Sequence, residues 1–243
     1  MSALSQRCIV VSGVTSGIGK ATVDVLLSRG ARVIGIARNE AALTSLASGW
    51  GPEFVPVVAD LALESSRARA LVEIASAANV IDAIVNNAAE CLYETPLATS
   101  LDTWRRLLEV NVLAALHLVQ GLRERLRAFG HVVNISSVNA GAVQNIKFAT
   151  YGLTKSALDQ LTNALRLELA AQQIRVSLVT PGLVDTEIYG KVEGFERVAE
   201  KLRRAIPKWL EATDVAEAIA WILAQPRHVV TAEIVLLPTG QAL

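Results

Sequence analysis

Cys8-Ile9-Val10-Val11-Ser12-Gly13-Val14-Thr15-Ser16-Gly17-Ile18-Gly19 decides the fold of this chain. Cys8 to Ser12 is a short apolar run, compatible with a parallel strand buried on both faces. Glycine then stands at positions 13, 17 and 19, and Ala21, Val25, Leu26 and Leu27 follow at helical spacing, closed by Gly30. Strand, glycine turn and helix form the context in which glycines let the backbone approach a dinucleotide pyrophosphate. The helix N-terminus then favours the negative charge. The spacing is Gly-x-x-x-Gly-x-Gly, not the commoner Gly-x-Gly-x-x-Gly, and a tight turn with no ligand uses the same residues. A phosphate-binding P-loop, which Gly19-Lys20 invites, fails twice. Its first glycine would fall on Val14, and Ala21 stands where Ser or Thr should bind magnesium.

Outward from this unit the strand–helix alternation repeats. Arg32–Ala37 reads as the second strand and ends at Arg38, roughly 20 residues beyond the loop, where an acid would bind the ribose 2′-hydroxyl of NAD. A guanidinium there suits a 2′-phosphate by charge and fork geometry, which favours NADP(H) over NAD(H); in the plainer reading it caps a strand end in solvent. A helix is expected from about Glu40 to Ala47. The third strand, Phe54–Ala59, ends at Asp60-Leu61, where the acid either meets an adenine amino group or caps the next helix, about Leu63 to Ala77. The fourth strand, Ile81–Asn86, ends in Asn86-Asn87-Ala88-Ala89, whose amides either flank a ligand or satisfy a turn.

One long helix is expected from about Leu101 to Leu126. Its middle, Val110 to Leu116, is apolar almost all round apart from Asn111, which implies burial by the sheet or a second subunit. Asn111 fits a local kink with an ordered water, or an exposed position. The fifth strand, His131–Ile135, ends in Ser136-Ser137. A further helix starts near Tyr151 and places Tyr151 and Lys155, four residues apart, on one face. An ammonium beside a phenol favours the phenolate and makes a proton donor suited to neutral pH; the spacing alone also fits a surface pair. The sixth strand, Arg175–Thr180, leads into Pro181-Gly182. Residues 186–208 then break the βα rhythm and read as a substrate lid. Thr213 to Glu217 resembles a capping box, and Val229–Leu237 reads as the last strand. The expectation is one domain over residues 1–243, a doubly wound parallel sheet of about seven strands with helices on both faces.

Composition narrows the function. With 23 basic and 23 acidic side chains the net charge is zero, which argues against nucleic acid or an anionic membrane surface as partner. No apolar run approaches the roughly 18 residues of a membrane span, and no signal-peptide pattern is seen at the N-terminus. Two distant cysteines, Cys8 and Cys91, fit a reduced cytoplasmic compartment, and His117, His131 and His228 are too scattered for a zinc motif.

Taken together these motifs resemble the short-chain dehydrogenase/reductase family over essentially the whole length. Ser12-Gly13-Val14-Thr15-Ser16-Gly17-Ile18-Gly19 matches its cofactor loop, with Ser12 replacing the usual Thr. Asp60-Leu61 matches its adenine-binding pair. Asn86-Asn87-Ala88-Ala89 matches its Asn-Asn-Ala-Gly segment, with Ala89 replacing Gly. Asn111, Ser137, Tyr151 and Lys155 match its catalytic four. Pro181-Gly182, Val184 and Thr186 match the segment that holds the nicotinamide amide. The closing Glu233 to Thr239 is similar to a branch that includes hydroxy-acid dehydrogenases and antibiotic-tailoring reductases.

The resemblance implies a carbonyl/alcohol oxidoreductase using NADP(H), with Tyr151 as acid, Ser137 on the substrate oxygen, and Lys155 tuning Tyr151 and holding the ribose. Asn111 would position a proton-relaying water. It places the catalytic serine second in the Ser136-Ser137 pair, and alternation along a strand lets only one of them face the site. It also implies a homodimer or tetramer through the Asn111 and Tyr151 helices. Alternatives are a nicotinamide-binding sensor without catalysis and a related epimerase or dehydratase. Candidate pocket residues are Cys91, Asn139, Gln144, Tyr189 and Phe195, with Lys147 or Arg204 available to a substrate carboxylate.

Overall fold

The computed structural model describes residues 3–188 and 194–242. Its main sheet has seven strands, all parallel, in the order β3-β2-β1-β4-β5-β6-β9. They are β1 (Cys8–Ser12), β2 (Arg32–Ala37), β3 (Phe54–Val58), β4 (Ile81–Asn86), β5 (Leu126–Ile135), β6 (Arg175–Pro181) and β9 (Glu233–Leu236). The order reverses direction between β1 and β4, so the strand C-termini diverge there into a crevice, the usual ligand position of such sheets. The expected doubly wound sheet is therefore observed.

Successive strand residues feed opposite faces. Ile9, Val11, Val33, Val85 and Val133 pack with α1 (Gly17–Ser28) and α8 (Ala212–Ala224). Val10, Ile34, Ile84 and Val132 pack with α3 (Glu64–Ala77), α5 (Ala114–Leu122) and α6 (Ala149–Ala170). Double-sided burial is why the central strands read as continuous apolar runs.

Several boundaries differ from expectation. Helix α2 (Glu40–Trp50) runs past Ala47, because the Trp50 indole donates to Asp24 at 2.6 Å and its ring packs on Phe54. The expected 101–126 helix is four pieces. α4 (Leu101–Leu108) passes into a π-helical turn (Glu109–Leu113), then α5, and a single 3₁₀ turn, Arg123–Arg125, ends it. Strand β5 starts at Leu126, not His131, because Leu126 pairs with Ile81 across a register shift. The last strand is only Glu233–Leu236. Helix α8 starts at Ala212, and its box is set by Glu211, whose N–H donates to Asp214 at 2.8 Å, so Thr213 is not the cap. A two-stranded ladder, β7 (Val184–Asp185) with β8 (Leu210–Glu211), was not foreseen; α7 (Glu196–Ala205) lies between its strands in sequence. Among the described residues no helix is long and apolar enough to cross a membrane.

Candidate functional site

The glycine loop is built for close approach. Gly13 has φ +74°, and a Cβ there would stand 2.8 Å from the Ala88 Cα; on Gly19 it would stand 2.1 Å from the Gly13 carbonyl oxygen. No side chain fits at either position. The loop is tied to the end of β4. Asn87 Nδ2 donates to the Ser12 and Gly13 carbonyls at 2.9 and 3.2 Å, and the Ser12 hydroxyl accepts from the Asn87 and Ala88 N–H groups, both at 3.0 Å. Serine at position 12 thus keeps a working hydroxyl where the family has Thr. Thr186 comes from the other side of the crevice and reaches within 3.2 Å of where a Gly17 Cβ would be.

These elements enclose a cavity of about 570 Å³, within the roughly 300–1,000 Å³ of small-molecule sites. Its wall includes Gly13, Thr15, Ser16, Gly17, Ile18, Arg38, Asp60, Leu61, Asn87, Ala88, Ala89, Ser137, Tyr151, Lys155, Pro181, Gly182, Val184 and Thr186. Of the predicted site residues, Gly19 lies beneath the loop and Asn111 behind the wall. The narrow glycine cradle and the polar groups along the cavity fit an extended dinucleotide.

Tyr151 and Lys155 rise from the first turns of α6, both buried, with the Lys155 ammonium 5.8 Å from the Tyr151 ring centre. Lys155 Nζ donates to the Ile135 carbonyl at 2.8 Å. Burial lowers its pKa to about 8, with Asp159 and Cys91 acting in the opposite sense. Ser137 Oγ accepts from the Asn139 N–H at 3.2 Å. Both Ser136 and Ser137 border the cavity, contrary to the expectation that only one would, because the chain leaves the sheet after Ile135 and strict alternation ends. The Ser136 hydroxyl donates to the Asp159 carboxylate.

Asn111 is 2% exposed, so it is not a surface residue. It sits inside the π turn with its amide fully engaged. Oδ1 accepts from the Glu90 N–H at 2.8 Å, and Nδ2 donates to the Glu90 carbonyl and to Thr154 Oγ1, both at 2.9 Å. Asp60 Oδ1 accepts from the Ala62 N–H at 3.0 Å, a local turn ahead of α3, whose N-cap is Leu63.

The candidate pocket residues separate. Cys91 borders the cavity, and burial pushes its thiol up to about 12. Gln144 is exposed, and neither it nor Asn139 reaches the wall. Phe195 is buried in an aromatic cluster with Phe148 and Trp209, against which Tyr93 packs. Tyr189 lies outside the described residues. Lys147 stands 5.0 Å over the Tyr93 ring, and Arg204 pairs with Glu200 at 2.7 Å, so both already have partners. Among the described residues no group of His, Cys, Asp and Glu could hold a metal ion. His131 is buried against Ser177, and desolvation lowers it to about 3.

Three charged wall residues were missed: Glu90, Arg106 and Glu187. Glu187 accepts from the Gly17 N–H at 3.1 Å. Glu90 was the most accessible of them to sequence reading, since it follows Ala88-Ala89 directly at a strand's ligand end.

The family model for short chain dehydrogenase matches residues 7–196. An uncharacterized oxidoreductase of Staphylococcus epidermidis is 30% identical over 240 residues, 98% of this chain and 100% of that protein. Among solved structures, the closed form of a serine dehydrogenase complexed with NADP+ is similar at TM-score 0.88 and 26% identity, covering 97% of this chain and 96% of that one. A short chain dehydrogenase from Burkholderia cenocepacia in complex with NADP reaches TM-score 0.87 at 26% identity, covering 97% and 98%. With the glycine cradle, the switch-point cavity and this similarity in hand, the chain belongs to the short-chain dehydrogenase/reductase family and is an oxidoreductase.

Proposed function

We propose that the chain interconverts the carbonyl and alcohol forms of a small molecule, using NADP(H) in preference to NAD(H). The observation that carries this reading is the convergence of Tyr151, Lys155 and Ser137 on one cavity together with the glycine loop and Arg38. Structural neighbours bound to NADP support the cofactor. When bound, the nicotinamide supplies or accepts a hydride. In reduction, Tyr151 gives its phenolic proton to the substrate oxygen, and Ser137 hydrogen-bonds the same oxygen as charge develops on it. The buried Lys155 ammonium favours the phenolate left behind and holds the ribose. Asn111 positions the water through which Lys155 exchanges protons. Both of its side-chain N–H groups are already donated, so that water would be held by the main chain of the π turn.

In this reading Gly13, Gly17 and Gly19 cradle the pyrophosphate, and Thr15, Ser16 and Ile18 line that approach. Arg38 receives the 2′-phosphate, Asp60 and Leu61 flank the adenine, and Asn87, Ala88 and Ala89 border the ribose. Pro181, Gly182, Val184 and Thr186 hold the nicotinamide amide. Residues 186–208, of which 189–193 lie outside the described residues, are read as a lid. Tyr151→Phe removes the proton donor and leaves the cleft intact. The expected result is a loss of turnover of roughly 10²–10⁴-fold, with NADPH affinity by fluorescence titration within about twofold of wild type. Retained turnover would refute the assignment.

The exposed Leu101, Leu108 and Leu113 near the π turn and Leu153 and Leu167 on α6 support a homo-oligomer formed through these helices. Light scattering should give a dimer or tetramer mass; a monomer at all concentrations counts against it.

A further inference from the structure

Arg38 is already engaged. Its Nη1 donates to Glu90 Oε1 at 2.6 Å. Arg106, from α4, grips the same carboxylate through Nε at 2.9 Å and Nη2 at 2.7 Å. Its Nη1 lies 3.7 Å from Asp60 Oδ2. All four side chains border the cavity, and their charges cancel. The Glu90 main chain cannot drift with its side chain, because Asn111 holds both its N–H and its carbonyl.

We infer that Glu90 limits the preference of this chain for NADP(H) over NAD(H), because its carboxylate holds the guanidinium that would receive the 2′-phosphate. The inference rests on the proposed cofactor reading. A 2′-phosphate on the Arg38 guanidinium shares it with the Glu90 carboxylate at Nη1, and placed side by side the two anions repel. NAD(H) has a neutral hydroxyl at that position and leaves the Arg38–Glu90 pair intact. Arg106 keeps Glu90 neutralised when Arg38 turns to a phosphate, so the exchange stays open but carries a cost. Cofactor choice is therefore set by Arg38 working against Glu90.

The test is a titration of NADPH and NADH, without substrate, into wild type, Glu90→Gln, Arg38→Ala and the double variant. Glu90→Gln should tighten NADPH about tenfold, or about 1.4 kcal/mol, and move NADH less than about twofold. On the Arg38→Ala background the gain should shrink to about threefold or less, since the competition is gone. Arg106→Ala leaves Glu90 to Arg38 alone and should weaken NADPH about fivefold with NADH unchanged, a second reading should Glu90→Gln fail to fold. Weaker NADPH binding in Glu90→Gln would mean that the carboxylate only orients Arg38 for the phosphate, and it overturns the inference. Equal tightening of both cofactors overturns it too, since Glu90 would then be a plain gate. So does an unchanged ratio in both Glu90→Gln and Arg106→Ala. A wild-type chain that binds neither dinucleotide overturns the cofactor reading, and the inference falls with it.

Discussion

Replacing Lys155 by Met should leave the protein at least as stable at neutral pH while removing its function. The ammonium is 2% exposed, and burial lowers its pKa from the ordinary 10.5 to about 8. That difference means folding disfavours the charged form by about 3 kcal/mol relative to the unfolded chain. Met removes this cost but leaves the Ile135 carbonyl, now an acceptor for Nζ at 2.8 Å, without its donor, which costs about 1–3 kcal/mol. The net expectation at pH 7 is about 0–2 kcal/mol in favour of Lys155→Met, a rise of up to a few degrees in Tm. The sign with pH follows from the lowered value. The unfolded chain holds the proton more tightly, so the cost of Lys155 is full below about 8 and fades as pH rises towards 10.5. Wild type should therefore gain on the variant by about 2 kcal/mol between pH 7 and pH 9.5. Urea denaturation of both proteins at the two pH values measures this directly, and groups common to both cancel. A stability difference that does not change with pH would refute the argument.

Glu187→Gln should tighten NADPH and NADH by the same factor, about two- to fivefold, because the carboxylate on the Gly17 N–H at 3.1 Å competes with the pyrophosphate common to both. Unequal changes in the two affinities would place Glu187 elsewhere in the site. Asn111→Ala should cost about 2–4 kcal/mol in urea denaturation, since Glu90 and Thr154 lose three hydrogen bonds that are wholly or partly buried. A loss below about 1 kcal/mol would mean that the π turn does not depend on this amide.

Much of the fold could be read from the chain because its central strands are buried on both sides. Runs such as Cys8–Ser12 and Ile81–Asn86 then stand out as apolar blocks, and both were located to the residue. What failed depended on partners distant in sequence. Leu126 joins β5 only because Ile81 lies beside it, and its own neighbours still carry the helical pattern. The π turn leaves no periodic trace, since Val110 to Leu116 is apolar all round and one extra residue in a turn shifts no visible stripe. The cavity residues divide the same way. Those in short ordered motifs, such as Thr15 to Ile18 and Tyr151 with Lys155, were placed on its wall. Glu90 with Arg106, and Glu187 at the glycine loop, meet only through the tertiary fold.

The burial of Asn111 gives the π turn a mechanical meaning. Its amide holds both main-chain polar groups of Glu90 and also donates to Thr154, the residue before Lys155 on α6. Thr154 in turn donates to the Tyr151 carbonyl at 2.7 Å. The brace therefore runs from the carboxylate that holds Arg38, through one amide, to the turn of helix carrying Tyr151 and Lys155. An ordinary α-turn would have no need of a buried amide at this position, and asparagine is a poor interior helix residue. A widened turn with a group that both donates and accepts can bind a strand-end loop and a neighbouring helix at once. The Arg38 end of the cavity and its Tyr151 end are thus held by the same side chain. A change in Asn111 should therefore be felt at Arg38 as well as at Lys155.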